Sequence, residues 1–162
     1  MRAVRNIFAA ATVLCGSAAA ADISADMQSI TQFCSHYVQT SQMTNLLMQN
    51  GFEHRRGEFR KSYNSSVIGG TQPVINVEAR ESRSGLGCSA TFGIVGRNDG
   101  SRLISIAQQT LRQLGYSETP VTGRNGRRET AFVLNGIAVK LGGRTDSSHS
   151  SYSSFIFFQR LN

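Results

Sequence analysis

Between positions 26 and 50 apolar residues recur every three or four places. Met27, Ile30, Cys34 and Tyr37 form the stripe, and Phe33 and Val38 widen it. That spacing predicts a helix with one buried face. The polar stretch Gln39-Thr40-Ser41-Gln42 interrupts the pattern, and Thr40 or Ser41 is placed to cap a second helix carrying Met43, Leu46 and Leu47. Gly51 then offers a glycine stop, with Phe52 as its trailing apolar residue. A further amphipathic helix is predicted over 102–114, with Leu103, Ile104, Ala107, Leu111 and Leu114 on its apolar face and Asp99 or Ser101 as cap. It ends on the same signal, Gly115-Tyr116.

After each helix the period changes from helical to alternating. Strands are predicted over 57–63, 74–80 and 88–95, and then over 128–134, 137–141 and 152–159. Asn135-Gly136, with strand-like residues on both sides, is the strongest hairpin turn in the chain. Hairpin-linked strands do not form βαβ crossovers, so the fold class expected is α+β, with helices packed on antiparallel sheet. The order helix-then-strands occurs twice, which suggests a tandem pseudo-repeat of helix followed by three or four strands, with half-repeats 22–98 and 99–162. In element order alone, without a shared motif, this plan resembles that of the beta-lactamase inhibitory proteins, and the likeness carries no residue across.

The first 21 residues change the chemistry expected of the rest. Arg2 and Arg5, the apolar run from Ile7 to Cys15, and the small residues from Ser17 to Ala21 read as a secretory signal peptide cleaved after Ala21. The remaining span, 22–162, is expected to form one domain, exported to a bacterial periplasm or secreted. Cleavage removes two of the 17 basic residues and none of the 10 acidic ones, so the formal charge falls from +7 to +5. It also removes Cys15 and leaves Cys34 and Cys88. In an oxidising compartment those two are expected to form a disulfide worth about 4 kcal/mol in the chain-entropy model.

A search for chemistry finds no catalytic constellation. Gly87-Cys88-Ser89-Ala90-Thr91 lacks the final glycine of a nucleophile elbow, and neither Lys61 nor Lys140 follows a serine by three places. Cys34 and His36 are two apart, which points them to different sides of a helix. His36, His54 and His149 match no metal-ligand spacing, so no metal or cofactor is expected. Basic residues interleaved with aromatics are the distinctive feature. Arg55, Arg56, Arg60 and Lys61 lie among Phe52, Phe59 and Tyr63, while Arg124, Arg127 and Arg128 fall at the corresponding place after the second long helix. Arginine's planar fork suits carboxylate or phosphate, and a neighbouring ring offers a stacking surface. The same charges would also protect a strand edge from aggregation.

These observations point to an exported, non-catalytic binding protein that recognises another protein, in the specific form of an enzyme inhibitor or an immunity-type protein. The proposed contacts are Arg55, Arg56, Arg60, Phe59, Tyr63, Arg124, Arg127 and Arg128. Two alternatives stand beside it: a cell-envelope module that binds anionic glycan or lipid, and a small hydrolase without a recognisable local motif. Nucleic acid is not expected as the partner of an exported chain.

Overall fold

Among the described residues, glycine ends two of the three helices in the same way. In the computed structural model, residues 23–63, 74–82, 85–95, 97–122, 126–146 and 151–160 are described. Helix α1 spans Ile23–Thr40, α2 Leu46–Gln49 and α3 Arg97–Gln113. Gly51 (φ +80°) and Gly115 (φ +90°) turn left-handed after α2 and α3. The N–H of Phe52 then donates to the Leu47 carbonyl at 3.1 Å, and that of Tyr116 to the Leu111 carbonyl at 2.9 Å. Gly51 and Gly115 donate to Met48 and Arg112 at 3.0 Å each, completing two Schellman closures. The aromatic after each glycine is buried.

The polar interruption after α1 works differently from the cap expected. Ser41 adopts φ +63° and donates its N–H to the Tyr37 carbonyl at 2.8 Å, so it closes α1 and does not open α2. The N-cap of α2 is Asn45, which makes no side-chain capping bond. Helix α3 also begins earlier than its apolar stripe implied. Ser101 therefore lies inside it, where its carbonyl accepts the Ser105 hydroxyl at 3.0 Å.

Among the described residues, eight strands form one antiparallel sheet: β1 (Glu53–Arg55), β2 (Glu58–Ser62), β3 (Val74–Ser82), β4 (Gly85–Val95), β5 (Ser117–Thr122), β6 (Arg128–Leu134), β7 (Ile137–Asp146) and β8 (Ser151–Arg160). Their order is β1-β2-β3-β4-β8-β7-β6-β5, so β4 and β8 meet at the centre, and β1 and β5 form the two edges. Among the described residues, four strands follow each helical segment, where the residue pattern marks three. The segment expected as one strand at 57–63 is the second arm of a hairpin that turns at Arg56-Gly57, and 117–122 is an additional strand. Asn135-Gly136 makes the expected hairpin turn between β6 and β7.

Alternation assigns one face of the sheet to the helices. Phe59, Ile75, Val77, Cys88, Ala90, Phe92, Val139, Ile156 and Phe158 are buried on that face. They pack against Met27, Ile30, Phe33 and Val38 of α1 and Leu103, Ala107 and Leu111 of α3. Each large apolar side chain removed from water contributes about 1.5–3 kcal/mol, which makes this layer the main stabilising one. A disulfide joins Cys34 of α1 to Cys88 of β4 through the middle of it, with the Cα atoms 5.3 Å apart.

A polar tie secures the opening turn of α1. The buried carboxylate of Asp26 accepts the Tyr63 hydroxyl at 2.6 Å and holds the Lys61 ammonium at 2.7 Å. Lys61 also donates to the Asn50 carbonyl at 2.7 Å and lies over the rings of Phe52 and Tyr63. One ammonium thereby connects the start of α1, the end of α2 and β2. An acidic group in the first turn of α1 is also favoured by the helix dipole.

Candidate recognition face

On β8 the inward residues are Ile156 and Phe158, so Phe155 and Phe157 must stand on the opposite face. They are 41% and 38% exposed, whereas Phe158 between them and the helices is fully buried. Among the described residues no element covers this face. The neighbouring strands carry small side chains beside Phe155, and one small and one long side chain beside Phe157. Phe155 lies between Thr91 on β4 and Gly142 on β7, and Phe157 between Ser89 and Lys140. A methyl group built on Gly142 would collide with the Phe155 ring, so that ring lies across the β7 backbone. The missing β-carbon of Gly142 leaves the space that this ring occupies.

Beside Phe157 is a notch of about 90 Å³, floored by Gly87 and Ser89 and walled by Glu78, Arg80 and Gln159. Arg80 and Glu78, two places apart on β3, pair along its rim at 2.9 Å. Further out the face becomes charged with both signs. Arg60 stands opposite Asn76, Glu58 opposite Glu78, and Arg55 opposite Glu58. Arg55 pairs with Glu53 at 3.1 Å, and on the other half Lys140 pairs with Glu129. Such exposed pairs contribute little to stability, and their positions matter more for what the face attracts.

The residues singled out along the chain do not gather in one place. Arg55 and Arg60 lie on the uncovered face of β1 and β2, and Arg56 occupies the turn between them. Phe59 and Tyr63 are not a stacking surface for a ligand, because both are buried. Phe59 opposes Val77, stacks on His54 at 4.5 Å and receives the edge of Phe33 at 5.1 Å. Tyr63 is committed to Asp26, and burial, with the bond to that carboxylate and its charge, pushes the phenol well above its ordinary range. Arg127 precedes β6 and Arg128 is its first residue, both exposed, and Arg124 lies outside the described residues.

Register places the two arginine groups at diagonal corners. The β1–β2 turn and the β5–β6 turn are six strand spacings apart, about 29 Å. Arg128 shares the side of Phe132, toward the helices, while Arg60 is on the uncovered side. One ligand-sized site cannot use both groups. The signal peptide expected at 1–21 and His149 also lie outside the described residues. Among the described residues no three His, Cys, Asp or Glu side chains are grouped to hold a metal ion, and no helix is long and apolar enough to cross a membrane. The disulfide suits an oxidising compartment.

Phe155 and Phe157 were not among the residues expected to bind. Their only signal was the run Phe155-Ile156-Phe157-Phe158, which reads equally well as a strand buried on both faces. Compared with known protein families, curated proteins and solved structures, the chain shows no significant match.

Proposed function

We propose that this chain is an exported, periplasmic or secreted, binding protein that recognises another protein through the uncovered face of its sheet. Inhibition of an enzyme or neutralisation of a toxin is the form of activity we assign to it. The observation that carries the reading is the pair Phe155 and Phe157, exposed on the central strand of a sheet whose other phenylalanines are buried. A ring already laid against Gly142 loses little side-chain freedom when a partner covers it, which is what a binding hot spot requires. The surrounding charges alternate in sign, a pattern suited to a protein surface carrying complementary charges. The buried disulfide supports an extracytoplasmic address. We also read the two helix-plus-four-strand runs as repeats of one unit, supported by their matching glycine-aromatic stops and by a strand order that is symmetric about β4 and β8.

The test compares the wild-type chain with a Phe155→Ser, Phe157→Ser double variant, each immobilised and exposed to an envelope extract. The protein retained by the wild type is then purified and titrated against both. The reading predicts an unchanged circular dichroism spectrum and an affinity at least about thirtyfold weaker for the double variant, the scale of one lost hot spot. Equal affinity for the two would overturn it.

A further inference from the structure

Two turns in this sheet share a backbone form and differ in the residue that adopts it. Asn135-Gly136 has φ values of +48° and +74°, and Arg56-Gly57 has +51° and +85°. Both are hairpin turns with two successive residues in the left-handed region, where asparagine before glycine is the favoured pair. Arginine has a full-length side chain and no local hydrogen bond to compensate, so it is disfavoured at the first position. The β1–β2 hairpin therefore keeps a locally poor residue at its tip.

That residue also lacks a companion. Arg55, Lys61 and Arg80 each hold a carboxylate, at 3.1, 2.7 and 2.9 Å. Arg56 and Arg60, among the described residues, make no hydrogen bond or ion pair. Both line a concavity of about 820 Å³ at the hairpin, together with Arg55, Lys61, Glu53 and Glu58. Arg60 is also in register with Asn76, Thr91 and Phe155, three strand spacings or about 14 Å from the exposed ring. The hairpin and the aromatic centre thus belong to one continuous surface.

We propose that the β1–β2 hairpin is the specificity element of that surface, with Arg56 and Arg60 taking separate carboxylates from an acidic segment of the partner protein. This rests on the reading of the sheet face as a protein-binding surface. Glu53 and Glu58, standing among the cations, repel the dense uniform charge of an anionic glycan or a lipid surface. They admit a peptide whose carboxylates are spaced apart. The Arg56 guanidinium serves recognition at the tip, at the expense of the turn.

The experiment titrates the folded chain with a Glu-Gly-Glu-Gly-Glu peptide, its glutamine counterpart and phosphatidylglycerol vesicles, and reads arginine side-chain resonances. The proposal expects Arg56 and Arg60 to respond to the glutamate peptide alone, less strongly as salt is raised. Arg56→Asn should weaken that binding about fivefold, the range of an exposed charge pair, while raising the melting temperature by about 2 °C as the turn gains its preferred residue. Equal binding of the glutamine peptide, unchanged affinity in Arg56→Asn, or a response to vesicles alone would overturn it. None of these outcomes depends on Phe155 or Phe157. If Arg56→Asn leaves the captured partner's affinity intact while Phe155→Ser with Phe157→Ser abolishes it, the sheet-face reading stands and the hairpin assignment falls.

Discussion

Replacing Lys61 by methionine isolates the tie between α1, α2 and β2. The side chains of Asp26 and Lys61 are 5% and 16% exposed, so the change leaves a carboxylate in the interior without its cation. Removing one partner of a buried pair costs about 3–5 kcal/mol. The lower end applies because the Tyr63 hydroxyl, 2.6 Å away, still satisfies the carboxylate. A loss of about 3 kcal/mol lowers the melting temperature by about 6–12 °C for a chain of this size. Replacing the whole network, Asp26→Leu with Lys61→Met and Tyr63→Phe, removes the stranded charge and the hydroxyl that Asp26 satisfied, and should leave stability within about 1 kcal/mol of wild type. The chain contains no tryptophan, so urea unfolding is best followed by far-ultraviolet circular dichroism with the disulfide intact. Because the pair is buried, the loss in Lys61→Met should persist in 0.5 M salt, roughly one Debye length of 4 Å notwithstanding. A loss below about 1 kcal/mol, or one that disappears with salt, would refute the claim that this pair holds the helix start.

Other consequences follow from the same geometry. Cys34→Ala with Cys88→Ala opens a loop of sequence separation 54 and should cost about 4 kcal/mol, measured by urea unfolding of the variant against the oxidised wild type. Burial raises the Tyr63 and Tyr37 phenols, Tyr63 further through Asp26 and Tyr37 through the charge of Glu81. The folded state therefore holds these protons more tightly than the unfolded chain does. Their contribution is complete below about pH 10 and is lost as the pH rises beyond it. Tyr63→Phe should flatten that alkaline decline in a pH series of unfolding curves. Gly142→Ala should leave the fold in place, because the colliding Phe155 ring is exposed and can swing aside. It should nevertheless weaken partner binding by displacing that ring, an effect read by titration beside a thermal melt.

Much of the architecture was legible in the residue pattern because local chemistry decided it. Gly51-Phe52 and Gly115-Tyr116 close helices by backbone bonds that need no tertiary help, and Asn135-Gly136 dictates its own turn. The edge strands were harder to see. Glu53-His54-Arg55 has no alternating apolar face, and Ser117–Thr122 carries Pro120, whose missing N–H is tolerated at the sheet edge. The site was mostly hidden for a different reason. Phe59 and Phe157 both lie in strands and next to basic or polar neighbours in space, yet one is buried and the other exposed. Parity along each strand determines which side a residue takes, but only the packing of α1 and α3 determines which side is covered. No local pattern contains that information. Likewise, Tyr63 looks like a companion of the arginines until the fold brings Asp26 to its hydroxyl.

Hydroxyl-radical footprinting of the chain, free and bound to the protein retained from envelope extract, tests the recognition face most directly. Met43, in the loop before α2, and Met48, within α2, are 50% and 45% exposed and serve as internal controls. The account predicts that Phe155 and Phe157 become protected in the complex while both methionines continue to oxidise. Protection of Met43 and Met48 with unchanged labelling of the two phenylalanines would place the interface on the helices and contradict it.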